Sequence, residues 1–79
     1  MVHVVINVRK LDFERQGIMI ARLVFPEKRI TARSSLMGTK IQVQSAEISR
    51  LSSLMAELDD AGVEWDLSVV PCSRVATAL

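Results

Sequence analysis

The sequence predicts an α+β domain, a two-layer sandwich. A four-stranded antiparallel meander is followed by one helix and a fifth strand (β-β-β-β-α-β), and the helix covers one face of a mixed sheet. Three observations carry this. Residues 46–61 repeat apolar side chains at helical spacing and stop at Gly62. Residues 63–69 alternate strictly between apolar and polar. Residues 1–44 divide into short apolar runs bounded by turn residues. This order excludes a chain in which strands and helices alternate as β-α-β-β-α-β.

The first strand is Val2 to Arg9, with Val2, Val4, Ile6 and Val8 on one face and His3, Val5, Asn7 and Arg9 on the other. Lys10 to Gly17 reads as a polar connection, with Leu11 and Phe13 folding back onto the core edge. Ile18 to Phe25 is apolar on both sides except at Arg22, the pattern of a central strand. Pro26-Glu27-Lys28 is a turn, with proline suited to its first corner. Arg29 to Ser34 is a third strand, with Ile30 and Ala32 inward. Leu36 to Thr39 is a hairpin loop in which Gly38 can take positive φ. Lys40 to Gln44 is the fourth strand, with Ile41 and Val43 inward. Ser45 is the expected N-cap of the helix, its hydroxyl accepting from a free N–H of the first turn. Ile48, Leu51, Leu54, Met55 and Leu58 form the core-facing stripe. The last strand runs to Val70, with Trp65 inward, and Pro71 ends it because it has no N–H to continue a ladder. Cys72 to Leu79 has no clear period and is expected to be a loose tail on a single domain, 1–79.

With 79 residues, 49% hydrophobic and 24% charged, the chain has the composition of one small globular domain and not of a disordered segment. There is one cysteine, so no intrachain disulfide can form. No apolar run is long enough to span a bilayer and no signal peptide is visible, so a cytoplasmic protein is expected.

The net charge of +1 hides a division. Residues 1–44 carry eight basic and three acidic side chains, net +5, and residues 45–79 carry two basic and six acidic, net −4. Arg9, Arg22, Arg29, Arg33 and Lys40 are expected on the outer sheet face, as a surface for an anionic partner. Val5, Ile18, Ile20, Val24 and Val70 are expected on the same open face, as an apolar patch that joins two copies.

Chemistry-bearing residues are sparse. His3 is the only histidine and Cys72 the only thiol, so a zinc site is not expected. Cys72 lies beside Arg74 but has no base to activate it. Gly38-Thr39-Lys40 resembles the end of a phosphate-binding loop without its upstream glycine. Asp59, Asp60, Glu64 and Asp66 lack the spacing of a calcium loop. No cofactor, metal or catalytic group is therefore expected. The expectation is a small non-enzymatic protein-interaction module, an accessory subunit or inhibitor, acting as a homodimer. It would use its basic sheet face and the acidic edge formed by the helix end and last strand. The alternative is a nucleic-acid-binding protein that contacts phosphates through the basic face. With only Phe13, Phe25 and Trp65 as aromatics, that alternative lacks base-stacking platforms.

Overall fold

The computed structural model describes residues 1–9 and 13–71. The chain runs β1 (Val2–Val8), α1 (Glu14–Val24), β2 (Ile30–Ser35), β3 (Gly38–Ala46), α2 (Leu51–Asp60) and β4 (Trp65–Pro71), with a 3-10 turn, Ile48–Arg50, leading into α2. Four strands form one sheet in the order β2-β3-β1-β4, and every neighbouring pair is antiparallel. This is an α+β sandwich with the alternating β-α-β-β-α-β connectivity of the ferredoxin-like, split βαβ arrangement. Among the described residues no helix is long and apolar enough to cross a membrane.

The expected meander is corrected at one segment. Residues 18–24 belong to the helix Glu14–Val24, with Phe25 as its C-cap, and not to a central strand. Its side chains explain why. Phe13, Gly17, Ala21 and Phe25 recur every fourth residue along one face, and Gly17, Ala21 and Phe25 are buried. The core-facing positions on α1 itself are thus a glycine and an alanine. The larger Ile18, Ile20 and Val24 pack half-buried on its flanks. A Cβ on Gly17 would lie 2.9 Å from both Ile41 Cδ1 and Val8 Cγ2, so the glycine lets α1 settle closely on β3 and β1. With this segment helical, the sheet has four strands among the described residues, all antiparallel, in place of the expected mixed sheet of five.

The other elements stand close to expectation. β1 alternates buried and half-buried residues along its whole length. Ile41 and Val43 are buried, Gly38 turns the β2–β3 hairpin at φ 123°, and Gly62 follows α2 at φ 73°. Ala32, on the helix side of edge strand β2, is exposed rather than inward. Trp65 faces the helices half-buried, and its Nε1–H donates to Asp59 Oδ1 at 3.0 Å.

Two features of the second helix differ. Ser45 is not its cap: it lies in β3 at φ 55°, where a bulge puts one extra residue opposite β1. Its N–H donates to His3 Nδ1 at 3.4 Å. The α-helical turns begin only at Leu51, so Ile48 sits in the preceding 3-10 turn and is 61% exposed. Leu54 and Leu58 are fully buried and Leu51 and Met55 half-buried, as the helical stripe requires. Arg50 locks the two helices together. Its Nη1 donates to the Val24 carbonyl at 3.2 Å and to Glu27 Oε1 at 2.5 Å, placing a cation at the negative end of α1. The expected loose tail, 72–79, and residues 10–12 lie outside the described residues.

Candidate functional site: the open sheet face

Both helices cover the same side of the sheet, where Val2, Val4, Ile6, Val8, Ile41 and Val43 are buried. Strand alternation then fixes what the other side presents. Register sets its cross-strand rows. One runs Arg33, Lys40, Asn7, Asp66 from β2 to β4, and the next runs Thr31, Gln42, Val5, Ser68. His3 and Val70 form a third pair. The face is polar and polarised, with cations on β2 and β3 and one carboxylate, Asp66, on β4.

The two ends of the first row differ in how their charges are met. Arg9, one residue past β1, donates from Nε and Nη2 to Asp66 Oδ2 at 3.1 and 2.6 Å. That hydrogen bond, reinforced by the charge of Asp66, holds the Arg9 guanidinium above its already high ordinary pKa. Arg33 and Lys40 are direct cross-strand partners and make no ion pair among the described residues. Two like charges placed opposite each other on a sheet are mildly destabilising. Asn7, the next residue in the row, is neutral. Two shallow depressions, of about 250 and 440 Å³, open on this part of the face, and Arg33 and Lys40 line both. Asn7 and Ser35 border the first, Thr31 and Gln42 the second, so hydrogen-bonding groups surround the cations. Alternation in the sequence could have identified Asn7, Thr31 and Gln42 as site residues, but the search for charge passed over them.

Of the five basic residues expected on this face, the structure brings Arg33 and Lys40 together. Arg9 lines the first depression with them, its guanidinium bound to Asp66. Arg29 is exposed at the entry to β2, where its carbonyl accepts from the Gln44 N–H at 3.0 Å. Arg22 is corrected: it is exposed on α1, on the far side of the sheet, because its segment is a helix. The expected apolar patch is also divided. Val5 and Val70 lie on the open face, diagonal to one another across β1 and β4. Ile18, Ile20 and Val24 are corrected to half-buried positions on α1, against the core.

The remaining charges are largely used within the fold. Lys28 Nζ stands 3.1 Å from Glu47 Oε2, which with Arg9–Asp66 and Arg50–Glu27 ties the basic half of the chain to the acidic half. Asp59 holds Trp65, so the acidic edge is partly structural. Glu14 accepts from the Thr39 and Ser34 hydroxyls, anchoring the start of α1 to the hairpin. Among the described residues no group of three or more His, Cys, Asp or Glu could hold a metal ion. Cys72 lies outside the described residues. All three aromatic side chains belong to the helix side of the fold. No protein-family model, curated protein or solved structure matches the chain.

Proposed function

We propose that the chain is a small non-enzymatic interaction module that self-associates and takes an acidic segment of a partner protein on its open sheet face. The observation that carries this is the pair Arg33–Lys40, side by side, with no carboxylate paired to either among the described residues and with two depressions at their feet. An anionic partner supplies the missing counter-charges, and Asn7, Thr31 and Gln42 supply hydrogen bonds to its backbone. The nucleic-acid reading draws on the same cations, but the face offers no Phe, Tyr or Trp on which a base could stack.

The test is Arg33→Glu combined with Lys40→Glu, with Arg22→Glu as the control. Binding of a labelled polyglutamate peptide and of a random-sequence single-stranded RNA is followed by fluorescence anisotropy over a salt series. The double variant is expected to lose roughly tenfold or more in peptide affinity at low salt, a loss that shrinks as salt rises. Arg22→Glu is expected to leave binding unchanged. Equal peptide affinity in wild type and double variant overturns the reading. Tight RNA binding, with a log–log salt slope of roughly one per phosphate contacted, would transfer it to the nucleic-acid alternative.

A further inference from the structure

The sheet has two edges, and they are guarded differently. β2 carries Arg33, follows Arg29, and has polar residues at most positions. β4 carries no charge from Leu67 to Pro71. Val69 and Val70 are 45% and 48% exposed there. An uncharged, β-branched edge presents unpaired N–H and C=O groups as a template for another strand, and natural sheets usually blunt such edges with charge.

The helix layer continues this apolar edge. Asp59 of α2 bonds Trp65 at the start of β4, and the chain reverses at Gly62. Moving back along α2 therefore runs the same way as moving forward along β4. Met55 and Leu51 lie one and two turns before Asp59, at steps of about 6 Å. Leu67 and Val69 follow Trp65 at steps of about 7 Å. Leu51 and Leu67 both pack half-buried against the core, with Met55 half-buried on the same face of α2 and Ile48 exposed ahead of it. Strand edge and helix flank make one apolar seam.

We infer that two copies of the chain join through this seam, β4 to β4 and antiparallel, across a two-fold axis at Ser68. The inference rests on the self-association proposed above and specifies where the copies meet. Self-complementarity selects a second copy as the occupant. Alternate strand residues point to opposite faces, so the two helix layers share a side only if odd-numbered residues meet odd-numbered ones. The axis at Ser68 satisfies this. It sets Leu67 opposite Val69 of the second copy on the helix side and Asp66 opposite its Val70 on the open side, so no carboxylate faces a carboxylate. Pro71, without an N–H, falls at the seam's end opposite Trp65. The four-stranded sheets become one of eight strands, and the α2 helices lie side by side over the join. A seam one strand long (~23 Å) and two layers deep (~20 Å) covers roughly 900 Å² over both copies, the small end of specific interfaces. The dimer is accordingly weak and concentration-dependent.

The test is sedimentation velocity from low to high micromolar concentration, with two kinds of variant. Val69→Lys places a cation on the seam and is expected to raise the dissociation constant about tenfold or more. Ala32→Lys, exposed on the helix side of the opposite edge, is expected to leave the dissociation constant unchanged. Far-UV circular dichroism confirms that both fold. Should Val69→Lys not fold, Ser68→Cys in a Cys72→Ser background tests the same axis without touching the core. Residues directly opposite in an antiparallel pair have Cα atoms about 4.5–5.5 Å apart, within disulfide range. With oxidised glutathione as oxidant, Ser68→Cys is expected to give a covalent dimer, and Ala32→Cys in the same background is not. A wild type that stays monomeric throughout overturns both this inference and the self-association it rests on. A dimer that Val69→Lys leaves intact and Ser68→Cys does not cross-link overturns the seam alone. Arg33→Glu with Lys40→Glu lies off the seam, so loss of the acidic partner and loss of the dimer are read separately.

Discussion

The two helices lie on the same sheet in opposite ways. α2 meets it through full-sized side chains, with Leu54 and Leu58 completely buried. α1 meets it through Gly17 and Ala21 and holds its large apolar residues to the sides. One helix is attached by what its side chains fill, the other by how near its backbone can come. The same core therefore has a half that fails when side chains are shortened and a half that fails when they are lengthened.

Gly17→Leu is expected to have the largest effect. The space beyond that Cα is taken by Ile41 and Val8, so a leucine would push α1 off the sheet. The cost should exceed about 3 kcal/mol, a large part of a small domain's total stability. Native-like circular dichroism and cooperative urea unfolding in this variant would break the comparison. Leu58→Ala comes next, at about 2–5 kcal/mol, because it leaves a cavity under α2. A melting temperature within a few degrees of wild type would show that α2 is held elsewhere. Gly17→Ala sharpens the contrast. Alanine favours helix over glycine by about 1 kcal/mol, so a net gain is the expectation for an exposed site. Here its methyl would sit 2.9 Å from two buried side chains. A net loss of about 1–2 kcal/mol in urea titration is expected from overpacking. Ile48→Ala is smallest, within about 0.5 kcal/mol for the folded monomer, since the side chain is mostly exposed ahead of α2.

This difference also governed what could be read from the chain. α2 announces itself because its buried positions are leucines at helical spacing. α1 does not, because its buried positions on the helix are a glycine and an alanine, which carry little hydrophobic signal. What remains visible is Ile18 to Phe25, an apolar run of eight, and a run that short fits a buried strand as well as a helix. Reading it as a strand turned the first crossover into part of a meander and put Arg22 and the Ile18–Ile20–Val24 group on the wrong side of the sheet. Where alternation was strict, in β1, β3 and the start of β4, facing was legible, and Arg33 and Lys40 fell where their pattern places them. Their being direct neighbours was not legible, since register depends on the hairpin turn at Gly38. Ser45 misled for a local reason. A serine before a helical stripe suits a cap, but here it bends the end of β3 at positive φ.

The place of β1 in the sheet has a consequence in time. It is the first strand made and lies between β3 and β4, the last two. Its neighbour β3 ends at Ala46, 38 residues after Val8. At a synthesis rate of roughly 5–20 residues per second, that interval is about 2–8 s. During it the row Val2, Val4, Ile6 and Val8 has neither strand partner, and α1 alone can shelter it. Glu14, which starts α1 and accepts from Ser34 and Thr39, then meets its own partners as the hairpin arrives. The nascent chain is thus most exposed to wrong pairings before the hairpin turns at Gly38, and slowing elongation ahead of that codon should do more harm to its yield than slowing it near β4.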